Sequence, residues 1–100
     1  MEEEQLIVMP HAYKHGLTED EIRFAWRHAL YRFTRLDDSR GDVVVVIGPT
    51  DELGLLTHQM TYCAGIVGRH HDEETIFVFH AKRPPVDSLI EELRQWRGEM

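Results

Sequence analysis

The sequence predicts an α+β fold, a small single-layer antiparallel sheet with helices packed on one face, in the order β-α-α-β-β-β-α. Three observations carry that expectation. Ile22, Ala25, Trp26, Ala29, Leu30 and Phe33 recur at helical spacing and form one apolar stripe. Val43-Val44-Val45-Val46-Ile47 is β-branched throughout, as in a strand buried on both faces. Two further strand-like segments follow at short intervals, and close sequential strands pair as an antiparallel meander.

Taken in order, Leu6-Ile7-Val8-Met9 is short and apolar behind an acidic stretch, and predicts an edge strand, with a helix lead-in as the alternative. Pro10 suits the first position of a helix and Gly16 the residue past its end, so His11 to His15 forms a short helical segment. Thr18 and Glu21 have the spacing of a capping box. The helix that they open is expected to run from Glu19 to about Phe33, with Glu19 and Arg23 as an exposed ion pair. Residues 37–42 form a polar turn with no apolar anchor. After the Val43–Ile47 strand, the segment from Gly48 to Gly54 carries turn signals. Leu56, His58, Met60 and Tyr62 alternate with polar residues and predict a half-buried strand, which places His58 in the core. Residues 64–74 hold two glycines and Arg69-His70-His71-Asp72-Glu73-Glu74, and predict a hairpin loop. Ile76 to Phe79 is the third strand of the meander, continuing to Ala81 and stopped by Pro84-Pro85. Asp87 or Ser88 caps a last helix with Val86, Leu89, Ile90, Leu93 and Trp96 on its inner stripe.

Length and composition bound the function. One hundred residues make one domain, spanning residues 1–100. An apolar fraction of 42% beside 29% charged residues excludes wholesale disorder and low-complexity classes. The longest aliphatic run is far short of a membrane span, and Met1-Glu2-Glu3-Glu4 has the wrong charge for a signal peptide. With Cys63 as the single cysteine, no internal disulfide forms, and a cytoplasmic location is expected. A net charge of −7 is opposite to that of a protein coating duplex DNA.

Among residues able to do chemistry, His11 and His15 stand four apart, a metal-ligand spacing that needs a third ligand from elsewhere. Two solvated histidines flanking Lys14 is the simpler reading, and no metal or other cofactor is expected. His80 ends a strand beside Lys82 and Arg83, a place for a pocket rim. No nucleophile elbow, P-loop or dinucleotide fingerprint occurs, and Cys63 reads as an inert, partly buried thiol.

Lys14-His15-Gly16 followed by an acidic amphipathic helix resembles the Lys-His-Gly segment near the start of the BrnT-type toxins. The Ile47-Gly48 strand end, and the apolar strand from Ile76 running into Ala81-Lys82-Arg83, are similar to that family's later strands. The resemblance covers roughly His11 to Leu93. It implies a RelE-like fold and a ribonuclease toxin of a type II toxin–antitoxin pair, cleaving RNA without a metal and binding a cognate antitoxin protein. Such chemistry needs a base for the 2′-hydroxyl, a cation for the phosphate and an acid for the leaving oxygen. Lys14, His15, Lys82 and Arg83 fall on the matching segments as candidates for those roles, and His11 and His80 join them by proximity in sequence. This chain departs from the family in having Asp42-Val43 and Leu53-Gly54 where arginines are usual, and in being acidic. The alternatives are a non-catalytic binding or regulatory domain of the same shape, and an unrelated small enzyme or structural subunit.

Two consequences follow. His11 to His15 and His80 to Arg83 must converge on one rim of the sheet if they share a site, within ~15 Å of each other. Association, as a homo-oligomer or a hetero-complex, is expected through the Leu6–Met9 edge or the last helix.

Overall fold

The computed structural model describes residues 4–35 and 42–98. The polar turn expected over 37–42 lies, apart from Asp42, outside the described residues. Among these residues the chain forms an α+β fold around a mixed five-stranded open sheet. Its strands are β1 (Gln5–Val8), β2 (Tyr31–Thr34), β3 (Val43–Pro49), β4 (Cys63–His70) and β5 (Thr75–Lys82), in the spatial order β1-β5-β4-β3-β2. The run from β2 to β5 is antiparallel, whereas β1 joins β5 in parallel. The helices are α1 (Glu19–Arg27), α2 (Glu52–Thr57) and α3 (Asp87–Trp96), with 3-10 segments at Pro10–His15 and Met60–Tyr62.

Several elements stand where the sequence puts them. β1 is an edge strand. Pro10 opens the first 3-10 segment, and Gly16 closes it at φ 85°, a backbone geometry that glycine adopts without a side-chain clash. Thr18 accepts from the Glu21 backbone N–H at 3.2 Å, while the Glu21 carboxylate accepts from the Thr18 N–H at 2.9 Å, completing the capping box. Glu19 and Arg23 pair at 2.7 Å.

The helix predicted to reach Phe33 ends at Arg27 instead. Leu30 donates its backbone N–H to Ile47 at 2.9 Å and enters the sheet, and Tyr31 to Thr34 pair with β3. Residues 29–33 therefore fit two periods. In Tyr31-Arg32-Phe33-Thr34 the alternation of apolar and polar residues prevails, because β3 offers an open ladder. Tertiary pairing here overrides a helical stripe.

The strand expected over 56–62 is absent. Asp51 accepts from the Gly54 N–H at 3.0 Å and starts α2, after which the chain passes through the Met60–Tyr62 segment. Leu56 is 82% exposed, so the alternation marks no buried face. His58, placed in the core by that pattern, is instead an exposed residue at positive φ ending α2. The strand lies one segment later, where a hairpin loop was expected: β4 is buried from Cys63 to Gly68. Its glycines mark close packing. A Cβ on Gly65 would lie 2.8 Å from Leu89 Cδ1 and 3.0 Å from Pro85 Cβ, so a larger residue here would press on the start of α3.

Helices cover both faces, not one. Ile22, Ala25 and Trp26 of α1 pack on Leu6, Val44, Val46, Ala64, Ile66, Ile76, Val78 and Ala81. Leu89 and Leu93 of α3 pack on Phe33, Val43, Val45, Ile47, Cys63 and Val67. The alternate residues of β3 thus belong to different cores, and the antiparallel single-layer expectation gives way to a sheet sandwiched between helices. On α3, Val86 takes the cap position without a side-chain cap, rather than Asp87 or Ser88. Trp96 is 46% exposed and stacks on Phe33 with ring centroids 5.5 Å apart.

Trp26 is 8% exposed and fills the α1 core. Trp26→Ala is expected to cost ~3–5 kcal/mol in a denaturant titration, the usual range for truncating a large core aromatic. A loss under about one kcal/mol would place the residue outside the core.

Candidate functional site

A bulge in β5 decides which side chains meet. Val67 pairs with His80 and Gly68 with Val78, so Phe79 is the extra residue on β5. Ile76 and Val78 face α1 before the bulge and Ala81 faces it after, while Phe79 packs in the α3 core. His80, opposite Val67, also turns to the α3 side, where it lines a cavity of about 300 Å³ with His11, Arg35, Val67, Phe79, Val86, Ser88 and Leu89.

The first 3-10 segment brings the other histidines. Met9 donates its N–H to Val78 at 2.8 Å, so the chain leaves β1 alongside the middle of β5. The Pro10–His15 turn then lies over the end of that strand. His15 meets the His80 ring edge-to-face at 5.7 Å between centroids, and His11 lines the cavity. Residues 11–15 and His80 thus fall well inside the ~15 Å limit for a shared site.

The electrostatics are lopsided. His80 Nε2 is buried without a hydrogen-bond partner among the described residues. Burial holds the His80 pKa below the usual histidine value, and the positive charges of His15, Arg35, Lys82 and His11 push in the same direction. Arg35 is held by Glu92 of α3 at 3.2 Å, so that guanidinium is fixed at the cavity wall. The first turn of α3 also borders the cavity, through Val86, Ser88 and Leu89. Its free backbone N–H end adds partial positive charge. The result is an imidazole biased toward its neutral form beside the Arg35 guanidinium.

The predicted residues divide. His11, His15 and His80 come together, and Lys82 is near enough for its charge to act on His80. Lys14 is exposed and does not line the cavity. Arg83 is not part of the recess. It donates to Thr50 Oγ1 at 2.5 Å and stands 3.7 Å from Glu21 of α1, toward the opposite face of the sheet. Arg83 lies one residue beyond β5 and its contacts with Thr50 and Glu21 take it away from Lys82 and His80. Arg35 was missed by sequence reading. It follows an unrecognised strand, and only that strand aims it at the cavity.

His11 and His15 find no third ligand. Among the described residues, no group of three or more His, Cys, Asp or Glu side chains is placed to hold a metal ion. Cys63 is fully buried, burial raises its thiol pKa, and its Sγ lies 3.5 Å from the Gln59 carbonyl it faces. His70 ends β4, and in the turn after it Asp72 accepts from the backbone N–H groups of Glu74 and Thr75, each at 2.8 Å. Among the described residues no helix is long and apolar enough to cross a membrane.

Compared with protein-family models, curated proteins and solved structures, the chain matches none.

The His80 environment has a measurable consequence. Its pKa is lower folded than unfolded, so the unfolded chain binds more protons at this position as pH falls below about 6.5. Stability is then lost toward acid and kept above that value. His80→Gln is expected to flatten the stability–pH curve below about pH 6.5, by up to one proton in its slope. Parallel curves for the two proteins, measured by urea unfolding, would show that His80 titrates alike in both states.

Proposed function

We propose that this protein is a metal-independent ribonuclease of the BrnT-like type, with a RelE-like arrangement of its elements, and that the His80 recess is its active site. The observation that carries the reading is the meeting of His15 and His80 at 5.7 Å, from segments 65 residues apart, beside a cavity that His80 lines with His11 and Arg35. RNA phosphate would be drawn by Arg35, Lys82 and the first turn of α3. His80, biased toward its neutral form by burial, takes the proton from the ribose 2′-hydroxyl. The 2′-oxygen attacks phosphorus and the bond to the 5′-oxygen breaks. His15 supplies the proton to that leaving oxygen, giving a 2′,3′-cyclic phosphate and a free 5′-hydroxyl. His11 sits at the wall, where it orients the phosphate. Lys14 and Arg83 have no catalytic part in this scheme, against the roles that the family resemblance implies for them. A toxin of this type works beside an antitoxin protein in the cytoplasm, and β1, as an edge strand, offers backbone groups for pairing.

Single-stranded RNA incubated with the protein and excess chelator should be cleaved to cyclic-phosphate ends. His80→Ala and His15→Ala should each slow cleavage ~10²-fold or more. Arg83→Ala should leave the rate within about threefold, since removing a group outside the reaction leaves the barrier almost unchanged. Absence of cleavage by the parent protein would overturn the assignment.

The second reading is a non-catalytic domain of the same shape acting through protein–protein contacts. It is favoured by Leu53 and Leu56 on α2, which are 52% and 82% exposed beside Tyr62. Under this reading Leu56→Glu should convert a concentration-dependent oligomer or complex to monomer in sedimentation, with RNA left intact. An unchanged monomer in both proteins, with no complex formed, would dismiss it.

A further inference from the structure

The opposite face of the sheet holds a second cavity, of about 330 Å³, lined by Glu4, Leu6, Arg23, Trp26, Arg27 and Arg32. Three guanidinium groups and one carboxylate share it. Arg32 donates to both Glu4 carboxylate oxygens, at 2.5 and 2.6 Å, in a bidentate fork. The Trp26 indole N–H donates to the same carboxylate at 3.3 Å. The Arg32 guanidinium lies 5.2 Å from the centre of the Trp26 ring, which holds the fork in place. Arg23 is fixed by Glu19 and by the Leu6 carbonyl, at 2.7 and 3.0 Å. Arg27 is exposed and has no carboxylate partner among the described residues. The set is thus short of negative charge in a protein whose net charge is −7.

Glu4 is placed to leave. It precedes β1, so its side chain can swing out without breaking the ladder between Gln5 and Thr75. Its carboxyl is held below the usual range chiefly by the Arg32 hydrogen bond, so it is charged at neutral pH and fills the fork as an anion. A preformed fork with an indole N–H beside it suits any compact oxyanion. Three guanidinium groups suit a dianion better than one carboxylate.

We propose that this cavity is a binding site for a phosphate monoester group, and that the Glu4 carboxylate is its displaceable internal occupant. The ligand's phosphate takes the Arg32 fork and the Trp26 N–H, Arg27 closes on its outer oxygens, and Glu4 turns to solvent. The proposal is independent of the ribonuclease reading, because this cavity shares no residue with the His80 recess.

The test is a heteronuclear NMR titration at constant ionic strength with inorganic phosphate, adenosine 5′-monophosphate and uncharged adenosine. Both phosphates should shift the Trp26 indole N–H, and adenosine should not. Equal affinity for the two phosphates would identify the phosphate alone as the ligand, and tighter monophosphate binding would identify a nucleotide. Glu4→Gln removes the competing charge and should tighten phosphate binding about tenfold, as expected when an occupied site is freed. Arg27→Gln, at an exposed position that leaves the fold intact, should weaken it severalfold. Phosphate binding no tighter in Glu4→Gln than in the parent, or unaffected by Arg27→Gln, would overturn the proposal. Shifts confined to His11, His80 and the start of α3 would do the same, since they would place the anion in the other cavity.

Discussion

Strand β3 has no exposed residue, and the architecture depends on that constraint. Seven consecutive positions must be covered from both sides, and each side then needs its own apolar layer. Among the described residues two amphipathic helices are long enough to supply one, α1 and α3. They take opposite faces, with Ile22, Ala25 and Trp26 on one and Leu89 and Leu93 on the other. The two cavities lie on opposite faces and share no lining residue.

The bulge at Phe79 is the second determinant. One extra residue on β5 puts Phe79 and His80 on the same side and resets the alternation for everything after it. Ala81 consequently fills the α1 core, while Lys82 falls on the His80 side and Arg83 reaches Thr50 and Glu21. Without the extra residue, His80 would point into the core occupied by Ile76 and Val78, where an imidazole without a partner is costly to bury. The local irregularity thus moves a polar group to a rim and leaves its Nε2 without a hydrogen-bond partner among the described residues.

Charge is arranged against the overall balance. The chain is acidic, yet several of its basic side chains are gathered in two recesses: Arg35 beside His11 and His80 in one, and Arg23, Arg27 and Arg32 in the other. Carboxylates hold some of them in position, Glu92 on Arg35 and Glu4 on Arg32. Such partly exposed pairs add little to stability. Their effect is geometric, because each fixes a guanidinium at a cavity wall. Local field, rather than net charge, then decides what these recesses attract.

The sequence by itself determined the features that depend on neighbours in the chain. The capping box at Thr18 and Glu21, the Gly16 terminus, the Val43–Ile47 strand and the final helix were legible because caps, φ restrictions and β-branched packing act over a few residues. The α+β class followed from their order. Residues 29–33 and 56–62 were misread because short apolar runs satisfy two periods, and the choice rests on which partner strand has an open edge. Tyr31 to Thr34 found β3, whereas Leu56 found nothing to cover it. The glycines of β4 looked like a loop because their reasons are tertiary contacts, Gly65 with Leu89 more than twenty residues away and Gly68 with Ile76 and Phe77 of β5. Of the candidate site, the histidine types and their two stretches were visible in advance. Their meeting, the exclusion of Arg83 and the inclusion of Arg35 were decided by the tertiary structure alone. A parallel β1–β5 pairing, a one-residue bulge and an edge strand each depend on contacts between distant segments, and local sequence does not encode their geometry.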